Sequence, residues 1–353
     1  MPEIDGAPAG RDGRSPRPGD AASVPPLYGA LDLGTNNCRL LIARPTRDGF
    51  RVVDSFSRIV RLGEGISRTG RLSDDAMDRA YDALAICAER VAKKSLPSER
   101  IAAVATQACR AAENGPEFID RVRVGTGLKL RIITPDEEAR LSVEGCRNLL
   151  DASAQAVLVV DVGGGSTELS WLVRADRGFE TVGWMSAPVG VVTLAEGHPE
   201  TPLDPLAWYE AMVAQMTLAI QSAPVNGTVK ALFDEGRAHL VGTSGAITSL
   251  AGIHLKLPRY QRDRVDGLWM TRHDCEAAAH LLLDLGPEGR ARNPCIGPDR
   301  ADLVMAGAAI LEAVQRAWPC ERVRVADRGL REGLLLERMR SGRRRRRRSG
   351  GRR

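Results

Sequence analysis

Aromatic residues make up only 4% of this 353-residue chain, and its second half holds no evident aromatic platform for a purine base. No run of about 18 apolar residues occurs, which excludes a membrane-spanning helix. The seven cysteines (Cys38, Cys87, Cys109, Cys146, Cys275, Cys295, Cys320) form no Cys-x-x-Cys pair. The five histidines show neither His-x-x-x-His nor His-Glu-x-x-His spacing. Zinc-site patterns are thereby excluded, and the thiols are expected to be reduced and buried. The first 26 residues are rich in Pro, Gly and Ala but lack the apolar stretch of a secretory signal, so a cytoplasmic protein is expected. Acidic side chains are missing from residues 338–353, which carry ten arginines. Without these, the net charge of +5 becomes 40 basic against 45 acidic side chains. A mildly acidic body must hold an anionic substrate with a few placed groups, not with a bulk positive field.

What is present suits an ordinary globular protein: 43% apolar and 27% charged residues, with length enough for two domains. An internal repeat sets the architecture. The segment Leu31-Asp32-Leu33-Gly34-Thr35-Asn36-Asn37 lies on Val160-Asp161-Val162-Gly163-Gly164-Gly165-Ser166 at an offset of 129 residues. Each copy continues as an apolar run, a turn and a second run, the pattern of a β-hairpin, and Gly49-Phe50 falls on Gly178-Phe179 at the same offset. After each hairpin the apolar period changes to that of a helix. Helices are expected over 73–92, 115–124, 205–222 and 302–317, and another opened by Thr134-Pro135-Asp136-Glu137. Strands are expected over 101–106, 130–133, 239–241 and 322–326.

The expected fold class is α/β, with two lobes of duplicated β-hairpin start facing each other across a cleft. The expected divisions are a disordered leader (1–26), a first lobe (27–145), a second lobe (146–340) and a disordered arginine-rich tail (341–353). The tail reads either as a solvated, self-repelling appendage or as an arm for RNA or another polyanion. The sequence leaves both open.

A strand that ends in Asp and enters a Gly-rich turn suits phosphate chemistry. Backbone N–H groups can approach phosphate oxygens closely there, and the carboxylate can hold a hydrated Mg²⁺. The loops after Asp32 and Asp161 therefore point to a phosphate chain gripped from two sides. A third element, Gly242-Thr243-Ser244-Gly245-Ala246, can add donors at a helix N-terminus. No Gly-Lys-Ser/Thr or Gly-x-Gly-x-x-Gly pattern occurs, which excludes a Walker A loop and a dinucleotide fingerprint.

These three loops resemble the phosphate-binding loops of the actin-like superfamily. Thr106-Gln107-Ala108-Cys109-Arg110, Thr134-Pro135-Asp136-Glu137-Glu138-Ala139-Arg140, Pro188-Val189-Gly190-Val191-Val192 and Asp327-Arg328-Gly329-Leu330-Arg331-Glu332-Gly333 narrow the likeness. Together they resemble the exopolyphosphatase and guanosine-pentaphosphate phosphohydrolase (Ppx/GppA) family, in its short two-domain form, over about residues 28–336. The resemblance implies two actin-like, ribonuclease H-like lobes and Mg²⁺-dependent removal of a terminal phosphate by water. The substrate would be inorganic polyphosphate or guanosine pentaphosphate, and the protein a homodimer. It implies Glu138 as general base, Arg110 as phosphate-binding arginine, Glu168 as a second acid and Asp161 as the metal-associated aspartate, and the loop chemistry adds Asp32 as a second metal ligand. Gly34, Thr35, Asn36, Asn37, Gly163, Gly164, Gly165, Ser166, Gly190, Gly242, Ser244 and Gly245 are the candidate substrate-binding residues. An actin-like ATPase or kinase, and a catalytically silent polyphosphate- or alarmone-binding regulator, remain as alternatives. Arg140 is expected to pair with a neighbouring acid, and His273-Asp274 to belong to a helix cap.

Overall fold

The computed structural model describes residues 25–47, 49–201 and 203–350. Residues 1–24 of the expected leader and 351–353 of the expected tail lie outside the described residues.

The first sheet joins β1 (Tyr28–Leu33), β2 (Asn37–Pro45), β3 (Phe50–Ile59), β4 (Ile101–Ala105) and β5 (Arg131–Ile132) in the order β3-β2-β1-β4-β5. The second joins β6 (Ala156–Val162), β7 (Thr167–Ala175), β8 (Gly178–Ala187), β9 (Ala238–Thr243), β10 (Trp269–Thr271) and β11 (Arg322–Ala326) in the order β10-β11-β9-β6-β7-β8. In each, an antiparallel hairpin lies beside a strand that runs parallel to its first member. The repeat is accurate to the single residue. Pairing slips at Ile42/Ala43 in the first hairpin and at Trp171/Leu172 in the second, positions again 129 apart. Gly49 and Gly178 close the two turns at φ 144° and 95°, a region open to glycine and strained for other residues.

Strand alternation decides where the two aspartates look. In β1, Leu31 and Leu33 face an outer core formed with Ala76, Ala80, Ala83 and Leu84 of the Asp74–Lys93 helix. Tyr28 and Ala30, and with them Asp32, face the opposite side. In β6, Leu158 and Val160 face the large outer core, while Val157, Val159 and Asp161 face inward. Two helices cover these inner faces. The Pro135–Cys146 helix starts at its Thr134 cap, whose hydroxyl accepts from Glu137 N, with Pro135 and three acids in the first turn. Its Leu141 packs in the first sheet's inner cluster, and its Val143 and Cys146 in the second sheet's. It thus crosses between the halves.

The Leu330–Gly350 helix corrects two expectations. Its Leu330, Leu334, Leu335 and Met339 pack on Tyr28, Leu41 and Val104 of the first sheet, so the second lobe does not run unbroken to residue 340. Backbone helix continues through Gly350, where a disordered tail was expected. The packed first turns nucleate the helix, and arginine, a good helix former, extends it. The expected strand at 130–133 contracts to Arg131–Ile132, and short helices at Gln107–Ala111 and Val191–Gly197 were not foreseen. Arg140 pairs with Glu337 at 3.0 Å, and Asp274 closes a capping box with Thr271. Among the described residues no helix is long and apolar enough to cross a membrane.

Candidate active site

The two inward faces meet at a cleft of about 550 Å³. Its walls include Asp32, Gly34, Thr35, Asn36 and Asn37 from the first half, and Asp161, Gly163, Gly164, Gly165 and Ser166 from the second. Glu138, Ser244 and Gly245 complete the expected lining. The hairpin loops have the same internal brace. Gly34 N donates to Asn37 O at 2.8 Å, and Gly163 N to Ser166 O at 2.9 Å. Among the described residues, the amides of Thr35, Asn36, Gly164 and Gly165 find no acceptor, so these N–H groups remain available to an anion. The loops also touch. A Cβ on Gly164 would come to 2.8 Å from Thr35 Cβ, so only glycine allows the approach.

Four candidate residues do not line the cleft. Gly190 packs beneath the second loop, where a Cβ would stand 2.5 Å from the Gly164 carbonyl, and Val192 N donates to that carbonyl at 2.7 Å. Gly242 lies under Ile247, 2.8 Å from where its Cβ would be. These two glycines are packing positions, and their sequence signal was the same as that of the lining glycines. Arg110 and Glu168 stand behind the wall. Arg110 Nη1 donates to Glu138 Oε2 at 3.1 Å and to Ile133 O at 2.8 Å. Glu168 Oε1 accepts from Ser166 Oγ at 2.8 Å and from Ser186 Oγ at 2.7 Å.

The buried acids titrate together. Burial first, and then Glu168, holds the Glu138 carboxyl well above its usual range, with Arg110 opposing. Burial and then Asp161 raise Glu168 to about 7, against the two serine hydrogen bonds. Asp32 is raised to about 6 by burial, against Arg39 and Arg331. Asp161 is raised by burial, against a hydrogen bond from Ser142 of the crossing helix. Carboxyls gathered this way resist ionising together, and a cation among them removes the resistance.

The donor chemistry fits Mg²⁺. Asp32 Oδ1, Asn36 Oδ1 and Asn37 Oδ1 are buried acceptors with no hydrogen-bond partner. Among the described residues no three His, Cys, Asp or Glu side chains form a metal cage. Mg²⁺ needs none, since it is commonly held by one or two carboxylates, its own waters and substrate phosphates.

Sequence reasoning assigned no site role to several lining residues. Gln107 accepts from Thr35 Oγ1 at 3.2 Å. Arg331 and Glu332 pair at 2.8 Å in the first turn of the terminal helix. Arg39 and Arg300 come from opposite halves, each within 3.9 Å of where a Gly245 Cβ would stand. Burial and then Arg39 lower the Arg300 pKa, the mark of two cations gathered where an anion would relieve both. A signal for Arg39 existed, for it occupies in the first copy the place that Glu168 occupies in the second.

Comparison with known proteins agrees with this geometry. A curated guanosine-5'-triphosphate,3'-diphosphate pyrophosphatase of Photobacterium profundum is 30% identical over 327 residues, 90% of this chain and 60% of that protein. The chain thus spans somewhat under two thirds of that relative. The crystal structure of an exopolyphosphatase-like protein superposes with a TM-score of 0.76 at 29% identity, covering 88% of this chain and 97% of the other. An Aquifex aeolicus Ppx/GppA member gives 0.70 at 26% identity, covering 90% and 98%. Two sheets, duplicated hairpins and the cleft between them are thus a shared architecture. With the Ppx/GppA phosphatase family model matching residues 41–342, the chain belongs to that family.

Proposed function

We propose that the protein is a Mg²⁺-dependent phosphohydrolase that releases the terminal phosphate of inorganic polyphosphate or converts guanosine pentaphosphate to the tetraphosphate. The observation that carries this reading is Glu138. It is an almost buried carboxyl tied through one oxygen to Arg110, at the cleft where the loops of both halves meet. The likeness to a guanosine-5'-triphosphate,3'-diphosphate pyrophosphatase of Photobacterium profundum and to an exopolyphosphatase-like protein supports the two substrates.

Phosphoryl transfer asks little covalent work of a protein, so positioning and charge neutralisation dominate. The amides of Thr35, Asn36, Gly164 and Gly165 cradle phosphate oxygens. Asp32 and Asp161, helped by Asn36 and Asn37, would hold Mg²⁺, which would supply charge neutralisation of the phosphate. Arg110 fixes Glu138 Oε2, which leaves Oε1 to orient the attacking water and take its proton. Glu168, held by two serines, keeps negative charge close to Glu138 and so keeps it basic. In the metal-free protein, burial and the neighbouring acids should hold Glu138 protonated above the ordinary glutamate value of 4.5, and a cation bound among them should lower that pKa.

Glu138→Gln tests the reading. Phosphate release should fall by about 10²–10⁴-fold while calorimetry still shows polyphosphate binding. Full activity in that variant would refute the assigned base. Phosphate release from polyphosphates of several lengths and from guanosine pentaphosphate, with and without Mg²⁺, fixes the preferred substrate.

A further inference from the structure

Arg290 is a charged side chain with no exposed surface, and it is not among the residues that line the cleft. We propose that it is a positioning residue for the cleft: its guanidinium holds the backbone that presents Arg300 to a phosphate chain, so that it acts on binding through Arg300. The proposal rests on the reading above, in which a phosphate chain occupies the cleft. Three observations lead there.

The first is the set of anchors. Arg290 Nε donates to Ala301 O at 3.2 Å and Nη1 to Leu282 O at 3.1 Å, while Nη2 pairs with Glu200. These partners come from separate parts of the second half. Glu200 follows the Val191–Gly197 helix, Leu282 precedes the break in the Arg272–Arg292 helix at Gly286, and Ala301 leads into the Val304–Ala317 helix. A planar fork with donors in fixed directions ties the three together. A buried ion pair seldom adds stability over apolar side chains of the same volume. What it does supply here is a fixed geometry.

The second is what the anchored backbone carries. Ala301 directly follows Arg300, which lines the cleft and converges with Arg39 of the other half over Gly245. Among the described residues the Arg300 guanidinium has no hydrogen bond or ion pair, and Arg39 repels it. Nothing at the tip of the side chain holds Arg300 in this place, so its backbone must.

The third is how weakly the segment is held on its other side. Arg61 of the first half donates to Asp299 O at 3.2 Å and pairs with Asp302 at 3.0 Å. The Arg61 and Asp302 side chains are 35% and 49% exposed, so water and salt screen that pair. The buried anchor on this segment is Arg290. If it were loosened, the two like-charged guanidinium groups would part, and a phosphate chain would have to draw them together on binding. Binding should suffer, while the chemistry at Glu138 should not.

The test is a double-mutant cycle in the full chain, with tripolyphosphate as the probe. Arg290→Lys keeps a charge opposite Glu200, but a single ammonium cannot serve all three anchors. Glu200→Gln, at the edge of the cluster with its side chain 29% exposed, is the milder change and decides the matter if Arg290→Lys does not fold. By calorimetry, tripolyphosphate affinity should fall about tenfold or more in Arg290→Lys and about threefold in Glu200→Gln. In turnover KM should rise in step, with kcat unchanged within about twofold. In an Arg300→Ala background neither substitution should weaken binding further. Losses that multiply in the double variants would overturn the proposal, since Arg290 would then act elsewhere. So would a fall in kcat with KM unchanged, or full affinity in a folded variant, which would leave Arg290 a stabilising residue only. The titrations need no turnover. A wild-type protein that bound tripolyphosphate and released phosphate from nothing would sink the hydrolase reading while the cycle still decided the role of Arg290.

Discussion

The two hairpins of this protein are copies in geometry and opposites in charge. Asp32 faces Arg39 across β1 and β2, and 129 residues later Asp161 faces Glu168 across β6 and β7. Turn, bulge and loop brace coincide. Backbone hydrogen bonding constrains those features wherever the fold recurs, whereas cross-strand side chains are free to diverge. The first half therefore meets its aspartate with a cation. The second half meets its own with another acid and steadies that acid with Ser166 and Ser186. The walls of one cleft thus carry aspartates with opposite neighbours, a cation in the first half and a buried acid in the second.

Making the walls alike should have the largest effect. Arg39→Glu gives the first hairpin the charge pattern of the second. It should weaken tripolyphosphate binding by about a hundredfold or more, since placing like charges together costs several kcal/mol. Arg39→Lys, which keeps the charge, should lose far less. Calorimetric titration of both variants checks this, and equal affinities would erase the contrast between the walls.

The acids differ in the pH at which each charges. Their folded pKa values are raised, so the fold prefers them protonated. That stability is complete below the ordinary values of 3.8 and 4.5, and is lost as pH rises through about 6 for Asp32 and about 7 for Glu168. Each accounts for roughly 3 kcal/mol of pH-dependent stability. In urea melts of metal-free protein between about pH 4 and 8, Glu168→Gln and Asp32→Asn should each flatten the decline of stability with rising pH. An unchanged slope in either variant would mean that its carboxyl is not held protonated by the fold.

The smallest effect distinguishes two glycines of the paired hairpin loops. Gly164→Ala pushes a methyl group into Thr35 and should cost about 1–3 kcal/mol in the same melts. On Gly34 the nearest atom to a Cβ is Asn37 O at 3.4 Å, an ordinary contact, so Gly34→Ala should cost under about 1 kcal/mol. Equal costs would mean that the loops do not press on each other in solution.

The repeat was legible because hairpins are local: turn glycines and strand alternation are written within a few residues. The same alternation placed Asp32 and Asp161 on the inner faces. The capped start of the helix that carries Glu138 was legible locally, whereas its assignment as base came from the family resemblance, since an acid in a first helical turn is favoured there anyway. The roles of Gly190 and Gly242 were not legible, since a glycine that lets backbone approach backbone looks the same as one that lets a ligand approach. Nor was the course of the terminal helix, which leaves the second half and packs on the first.

Sequence alone determined the duplicated hairpins, the Asp-headed loops, the helix that carries Glu138 and the separation of an acidic body from a basic end. Each depends on neighbours in the chain or on composition. Only the tertiary structure decided that Arg39 and Arg300 converge over Gly245, that Arg110 stands behind Glu138 and that Thr35 meets Gly164. Those partners lie 28 to 261 residues apart, and packing of both sheets on the two inner helices brings them together.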